Sequence, residues 1–343
     1  MFILIRRILF LLPPERAHYA TMHLLQALCA FAPSRWLLQQ LWPMVHDPVE
    51  VAGIRFPNRV GLAAGFDKDA RFMRVFKTLG FGHMEIGTIT PKAQPGNEKP
   101  RLFRLPADKA LINRLGFNNR GLDHAIEKLK NRPQGLIIGG NIGKNKLTPN
   151  EEAESDYVKC FEGLFPYVDY FTVNVSSPNT PNLRALQEKE PLMALLTALQ
   201  ARNQAKETPK PIFLKIAPDL TEGQLDDIVD IVKNTRIAGV VATNTTIDRT
   251  GLQTAAAEVE SLGAGGLSGA PVFSKSTQML QQLHQKSGGS FPIIGVGGIL
   301  TGQQAAEKAK AGAVMVQLYT GFIYRGPQLV HDCAQATKLL SQP

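Results

Sequence analysis

Pro292-Ile293-Ile294-Gly295-Val296-Gly297-Gly298 is a short apolar run that breaks off in glycines, and the chain holds eight runs of this kind. The others are Val60–Ala63, Met84–Ile89, Leu136–Gly140, Tyr170–Val175, Ile212–Ile216, Gly239–Ala242 and Val314–Leu318, with the run quoted first covering Pro292–Val296. Their length and their valine and isoleucine content suit strands buried on both faces. Helical stretches lie between them, so the pattern predicts an α/β protein built on a (β/α)8 TIM barrel. In that architecture the loops after the strands build the active site. The polar residues that end each run therefore read as chemistry: Gly65-Phe66-Asp67-Lys68, Gly87-Thr88, Asn141, Asn174 through Asn179, Lys215, Thr243-Asn244-Thr245, Gly297-Gly298 and Tyr319-Thr320.

A chain of 343 residues is long for one average domain but suits one barrel with an appendage. Hydrophobic residues make up 44%, enough for a sizeable core. Cys29, Cys160 and Cys333 are far apart and lack CxxC spacing, which argues against a disulfide scaffold or a zinc site. The net charge of +9 raises the question of nucleic acid. No basic stretch is interleaved with aromatics and no nucleic-acid motif is present, so that partner is not expected. Seven basic residues fall between Pro91 and Arg120 (Lys92, Lys99, Arg101, Arg104, Lys109, Arg114, Arg120), against Glu98 and Asp108. Such a loop either steers a small anion toward the pocket or is a solvated surface.

Residues 1–48 read differently from the barrel region, 49–343. Phe2–Leu12 is apolar apart from Arg6-Arg7 and stops at Pro13-Pro14. Eleven residues fall well short of the roughly 20 that cross a bilayer. Pro14 suits a first helical turn. Ala17, Ala20, Leu24, Ala27, Leu28 and Phe31 then recur at helical spacing, and Ser34 reads as an N-cap for Arg35–Leu41. Both tryptophans, Trp36 and Trp42, lie here. The segment is expected to be an amphipathic element lying in a membrane surface, with a helical cap on the barrel as the alternative. Val49–Phe56 reads as a small hairpin closing the barrel bottom. Pro91–Gly121 and Asn244–Ala270 are long connections, the first too rich in apolar residues for a disordered lid.

Loops after the seventh and eighth barrel strands commonly hold a phosphate, because glycines let backbone N–H groups approach its oxygens. Here they are Gly295-Val296-Gly297-Gly298 and Tyr319-Thr320-Gly321. Lys215 sits in an otherwise apolar strand, Phe213-Leu214-Lys215-Ile216. It either forms a Schiff base with a carbonyl substrate, as in an aldolase, or places a fixed charge beside an electron-accepting ring, or belongs to a structural ion pair. Asn113, Asn118, Asn141, Asn174, Asn179 and Asn244 crowd the same face. Side-chain amides carry donors and an acceptor together, which complements a planar heterocycle such as a pyrimidine or a flavin. Ser177 follows the fourth strand without a GxSxG elbow, so it reads as a proton carrier or a turn residue rather than a hydrolase nucleophile.

The motifs GLAAGFDK (61–68), EIGTITPKAQPGN (85–97), KPRLFRL (99–105), NRLGFN (113–118), NIGKNK (141–146), NVSSPNTPN (174–182), KIAPD (215–219), TNTT (243–246), GGLSG (265–269) and GVGG (295–298) stand together in this chain. In combination they resemble the dihydroorotate dehydrogenases, and specifically the membrane-associated, quinone-reducing class. The resemblance spans about 49–326. The serine in NVSSPNT and the helical segment before the barrel separate it from the soluble classes, which carry a cysteine at that position. Carried over, it implies FMN held by Ala64, Gly65, Lys68, Thr88, Asn141, Asn174, Lys215, Thr243, Gly269, Gly298, Tyr319 and Thr320. Dihydroorotate or orotate would contact Lys68, Asn113, Arg114, Leu115, Gly116, Phe117, Asn174, Asn179, Asn244 and Thr245, with Lys68 on the carboxylate. Ser177 would take a proton from C5 while hydride leaves C6, and Lys215 would stabilise the reduced ring. His18, Arg104 and Tyr319 would flank a membrane quinone. The resemblance also implies a peripheral protein on the cytoplasmic face of a bacterial cell membrane. A catalytically inactive, membrane-recruited barrel is the reading of a different class.

Overall fold

The computed structural model describes residues 2–340. The eight runs form eight parallel strands: Val60–Asp67, His83–Ile89, Ile137–Ile142, Tyr170–Asn174, Ile212–Ile216, Gly239–Ala242, Ile293–Val296 and Ala313–Leu318. Each is bonded to its chain neighbours and the eighth to the first, closing the barrel. Parallel neighbours need crossover connections, and helices such as Lys189–Gln204, Glu222–Thr235 and Phe273–Ser287 supply them. Thr221 starts the second of these with a reciprocal capping box to Gln224.

Alternation along the strands sorts side chains between two surfaces. In the fifth strand, Ile212, Leu214 and Ile216 join the large core under the helices, while Phe213 packs inside the barrel. The lower interior is apolar, filled by Phe213, Tyr170, Val241, Ile294 and Met315. Gly139 makes room for one of these rings, since a Cβ there would lie 2.3 Å from the Tyr170 ring. One step of two residues further along the same strands, the interior turns polar: Thr172, Lys215, Thr243 and Gln317. The hairpin Val49–Val51 and Ile54–Phe56 plugs the amino end, with Phe56 edge-on to His83 and Tyr170.

Both long connections hold structure that local sequence did not suggest. Leu102–Leu105, Ala110–Asn113 and Gly266–Gly269 form an antiparallel three-stranded sheet over the carboxyl-end mouth of the barrel. Its centre is held from both sides, Leu111 packing with Leu300 and Tyr324, and Ala110 and Ile112 with Val259 and Leu267. Three arginines of the basic loop are tied down. Arg101 pairs with Glu15 at 2.9 Å, Arg104 donates to the carbonyls of Phe10 and Leu12, and Arg114 donates to those of Leu262 and Pro100.

The N-terminal helices are Phe2–Leu9, Pro14–Ala30 and Ala32–Leu41. One expectation is corrected. Ser34 does not cap: the last of these helices already begins at Ala32, with Pro33 in its first turn, and the Ser34 hydroxyl donates back to the carbonyls of Leu28 and Phe31. Of the stripe, Ala17 is buried while Ala20, Leu24, Ala27, Leu28 and Phe31 are exposed, and it is Met22 and Cys29 that join the core on the barrel side. No helix among the described residues is long and apolar enough to cross a membrane.

Candidate active site

The polar upper interior opens into a cavity at the carboxyl ends of the strands. It is lined by Ala64, Gly65, Lys68 and Thr88 from the first two strands, Asn174, Ser177, Asn179, Lys215, Thr243, Asn244 and Thr245 from the middle ones, and Gly297, Gly298, Tyr319 and Thr320 from the last two. The inserted sheet and its flanks add Asn113, Leu115, Gly116, Phe117, Ser268 and Gly269. Two expected residues lie off this lining. Asn141 is fully buried one layer below, and the Arg114 side chain points outward across the Phe103 ring.

Strand register explains the convergence: Asn174 pairs with Lys215, and Lys215 with Val241, so adjacent strands present these positions at one height. Beneath them, Glu85 is fully buried and accepts from Gln317 Nε2 at 2.7 Å, Thr172 Oγ1 at 3.1 Å and Asn141 Nδ2 at 3.1 Å. Because Asn141 donates downward, its Oδ1 faces Thr88 Oγ1 at 2.6 Å and Asn174 Nδ2 at 3.3 Å. The amides of the mouth are thus oriented from below. Sequence reasoning passed over Glu85 and Gln317, although a single carboxylate or amide inside an apolar strand was the available signal.

Lys215 is 5% exposed, and its ammonium makes no hydrogen bond or ion pair among the described residues. Burial lowers its affinity for a proton, and the field of Glu85 opposes that loss. Lys68 is pulled down to about 8, first by burial and then by Arg101, against Asp69 and Glu15. Ser177 Oγ accepts the Asn179 N–H at 3.3 Å, and no side-chain base stands beside it. At the far end, Gly298 has φ +74°, and a Cβ there would meet the backbone of Phe273 at 2.5 Å. The loop can therefore lie flat on the start of helix Phe273–Ser287 only with glycine. An unpartnered ammonium, an unpartnered Gln317 Oε1 and a glycine cradle at a helix N-terminus fit a planar heterocycle carrying a phosphate.

A second cavity of about 360 Å³ runs between the barrel and the N-terminal helices. Its exposed walls are largely apolar, including Leu25, Leu28, Phe66, Phe72, Phe322 and Ile323, with His18 and Arg104 among its polar lining residues. Gly65, Lys68, Leu115 and Tyr319 line both cavities, so the two spaces meet there. His18 stacks edge-on against Phe66, which stacks edge-on against Tyr319. Burial, with Lys68 nearby, holds His18 down at about 4.

The family model for dihydroorotate dehydrogenase matches residues 48–339. The chain is 54% identical to a dihydroorotate dehydrogenase (quinone) of Christiangramia forsetii, covering 97% of each chain. It is 51% identical to one of Delftia acidovorans, again over 97% of each. A crystal structure of DHODH from Eimeria tenella in complex with ferulenol superposes with a TM-score of 0.82 at 36% identity, covering 96% of this chain and 91% of that one. These likenesses leave no room for the aldolase or inactive-barrel readings, and the chain belongs to the dihydroorotate dehydrogenase family, in its quinone-dependent branch.

Proposed function

We propose that the protein oxidises dihydroorotate to orotate in pyrimidine biosynthesis, with FMN in the barrel mouth and a membrane quinone as final acceptor. The observation that carries this reading is the junction of the two cavities at Gly65, Lys68, Leu115 and Tyr319, where a chamber of mixed polar and apolar lining meets a predominantly apolar one. FMN held there would supply an acceptor for the hydride and a relay of its electrons to the quinone.

The chain's own residues do the rest. Ala64, Gly65, Thr88, Asn174, Thr243 and Tyr319 line the ring site, with Asn141 orienting Thr88 and Asn174 from below. Gly269, Gly298 and Thr320 border the phosphate end. Lys215 offers its unpaired cation where negative charge develops on reduction. Lys68 meets the substrate carboxylate, while Asn113, Asn179, Asn244 and Thr245 present amide and hydroxyl groups to the pyrimidine edges, under the 114–117 turn. Ser177 Oγ removes the C5 proton as hydride leaves C6. For this the hydroxyl must give up its own proton to solvent, and the N–H of Asn179 directed at that oxygen favours the alkoxide form that receives the C5 proton.

His18, Arg104 and Tyr319 flank the quinone head in the second cavity. Residues 1–48 form a unit apart from the 49–343 barrel, lying on the cytoplasmic face of a bacterial membrane as a peripheral attachment. Leu4, Ile8, Leu11, Leu24, Phe31 and Trp36 are each more than three-fifths exposed there, an apolar surface suited to the interface.

The test is an anaerobic absorbance spectrum of the purified protein. Dihydroorotate should bleach a flavin band, and a long-chain quinone in liposomes should restore it. A protein without a flavin band, or one not bleached by dihydroorotate, overturns the reading.

A further inference from the structure

Lys308, on helix Gly302–Lys310, is fully buried. Its Nζ donates to Ser276 Oγ at 2.9 Å and Thr277 Oγ1 at 3.0 Å, and lies 5.2 Å from the Phe273 ring centroid. These partners are neutral, and they occupy the first two turns of helix Phe273–Ser287. Other lysines in ion pairs are answered by carboxylates, as Lys275 is by Asp219 and Asp248, or Lys189 by Asp227 and Asp230. Lys308 has no such answer. Burial draws its ammonium down to about 7, and no acidic side chain pulls it back. A buried cation without a counter-charge is costly, so an anion brought from outside the chain would favour the charged form of Lys308.

The glycine loop after the seventh strand lies directly above. Ser276 Oγ donates to the Gly297 carbonyl at 3.2 Å, and Cβ atoms added to Gly295 and Gly298 would lie 3.3 Å from Lys308 Cδ and 2.5 Å from the Phe273 backbone. Lys308 is therefore one hydroxyl removed from the loop that borders the phosphate end of the cavity.

We propose that Lys308 is a positioning residue for the flavin phosphate: from beneath the start of helix Phe273–Ser287, its cation supplies the charge that makes the site retain a phosphorylated flavin over an unphosphorylated one. This rests on the FMN reading above. Lys308 does not line the cavity, so its effect falls on cofactor retention and not on proton or hydride transfer.

The test uses full-length holoenzyme with Lys308→Met, Lys308→Gln and Lys308→Arg, each incubated with excess riboflavin. The retained flavin is identified after denaturation. Met and Gln should exchange FMN for riboflavin about tenfold faster or more, as expected for removing one charge from a low-dielectric site. Arg should restore retention. Molecules that still carry FMN should be bleached by dihydroorotate at the unaltered rate. Equal exchange in wild type, Met and Gln overturns the proposal, as does a loss that Arg fails to restore. Should the neutral variants fail to fold, Thr277→Val, which removes one of the two hydroxyl partners, should show the same bias at smaller size, and unchanged exchange there overturns it. A wild-type protein that releases a flavin other than FMN sinks the FMN reading instead, whatever the variants do.

Discussion

The barrel mouth and the N-terminal helices each wall a cavity, and the two are held together by opposite means. In the mouth, Glu85, Asn141, Thr88 and Asn174 form a continuous chain of hydrogen bonds anchored on neighbouring strands. Around the second cavity the contacts are rings and aliphatic chains, with a few ties such as Glu15 to Arg101 and Arg6 to the Tyr324 carbonyl. The outer face of those helices is apolar and exposed. Chemistry that needs fixed geometry is built on rigid elements, whereas entry for a lipid-soluble molecule needs only an apolar path. Perturbing the mouth should therefore stop the first half-reaction, and perturbing the helices only the second.

The largest effect is expected from Ser177→Ala. It should keep flavin and bind orotate, yet reduce the flavin about 10²–10⁴-fold more slowly, the usual cost of a general base. Stopped-flow bleaching with dihydroorotate reads this directly, and a wild-type rate would remove Ser177 from the chemistry. Lys215→Ala should follow, slowing reduction by about 10²–10³-fold, comparable to loss of one stabilising group at a developing charge. A folded, flavin-bearing variant reduced at full rate would mean that Lys215 is structural.

Deleting residues 1–45 probes the other side of the comparison. The truncated protein should still be bleached by dihydroorotate, while oxidation by long-chain quinone in liposomes should fall by about tenfold or more. Equal turnover with and without the segment would make it a cap and displace the quinone site. Through residue 48 the chain carries four arginines against Glu15 and Asp47, so attachment should depend mainly on apolar burial and only partly on salt.

The smallest effects are in pH profiles. Lys68 is held near 8 in the free protein, so its charge is present below that pH and lost above it. kcat/KM for dihydroorotate should fall as pH rises through about 8, by up to about tenfold per unit. His18 is held near 4, so it is neutral at physiological pH. The quinone half-reaction should then show no histidine inflection between about pH 6 and about pH 8. A clear inflection there, absent in His18→Leu, would mean that the imidazole is charged in the working enzyme.

The eight strands, the Pro14 helix start and the hairpin at Gly53 were legible in the sequence because each depends on local pattern: apolar runs, a proline that favours a first turn, a glycine that permits positive φ. Most polar lining residues were legible for a related reason, since a residue that ends a barrel strand is delivered to the mouth by the topology itself. The three-stranded lid was not legible. Asn113 and Gly266 are 153 residues apart, and neither short strand specifies a distant partner. The same limit applied to Asn141, which local position put at the rim and Glu85 draws into the layer below. It applied equally to Lys308, an ordinary helical lysine until two helices bury it under the glycine loop. Period and punctuation thus determined the barrel and the order of its polar ends. Which groups were left without a partner, and which apolar stripe was left facing outward, was decided only by three-dimensional packing, because burial and hydrogen-bond satisfaction depend on neighbours remote in the chain.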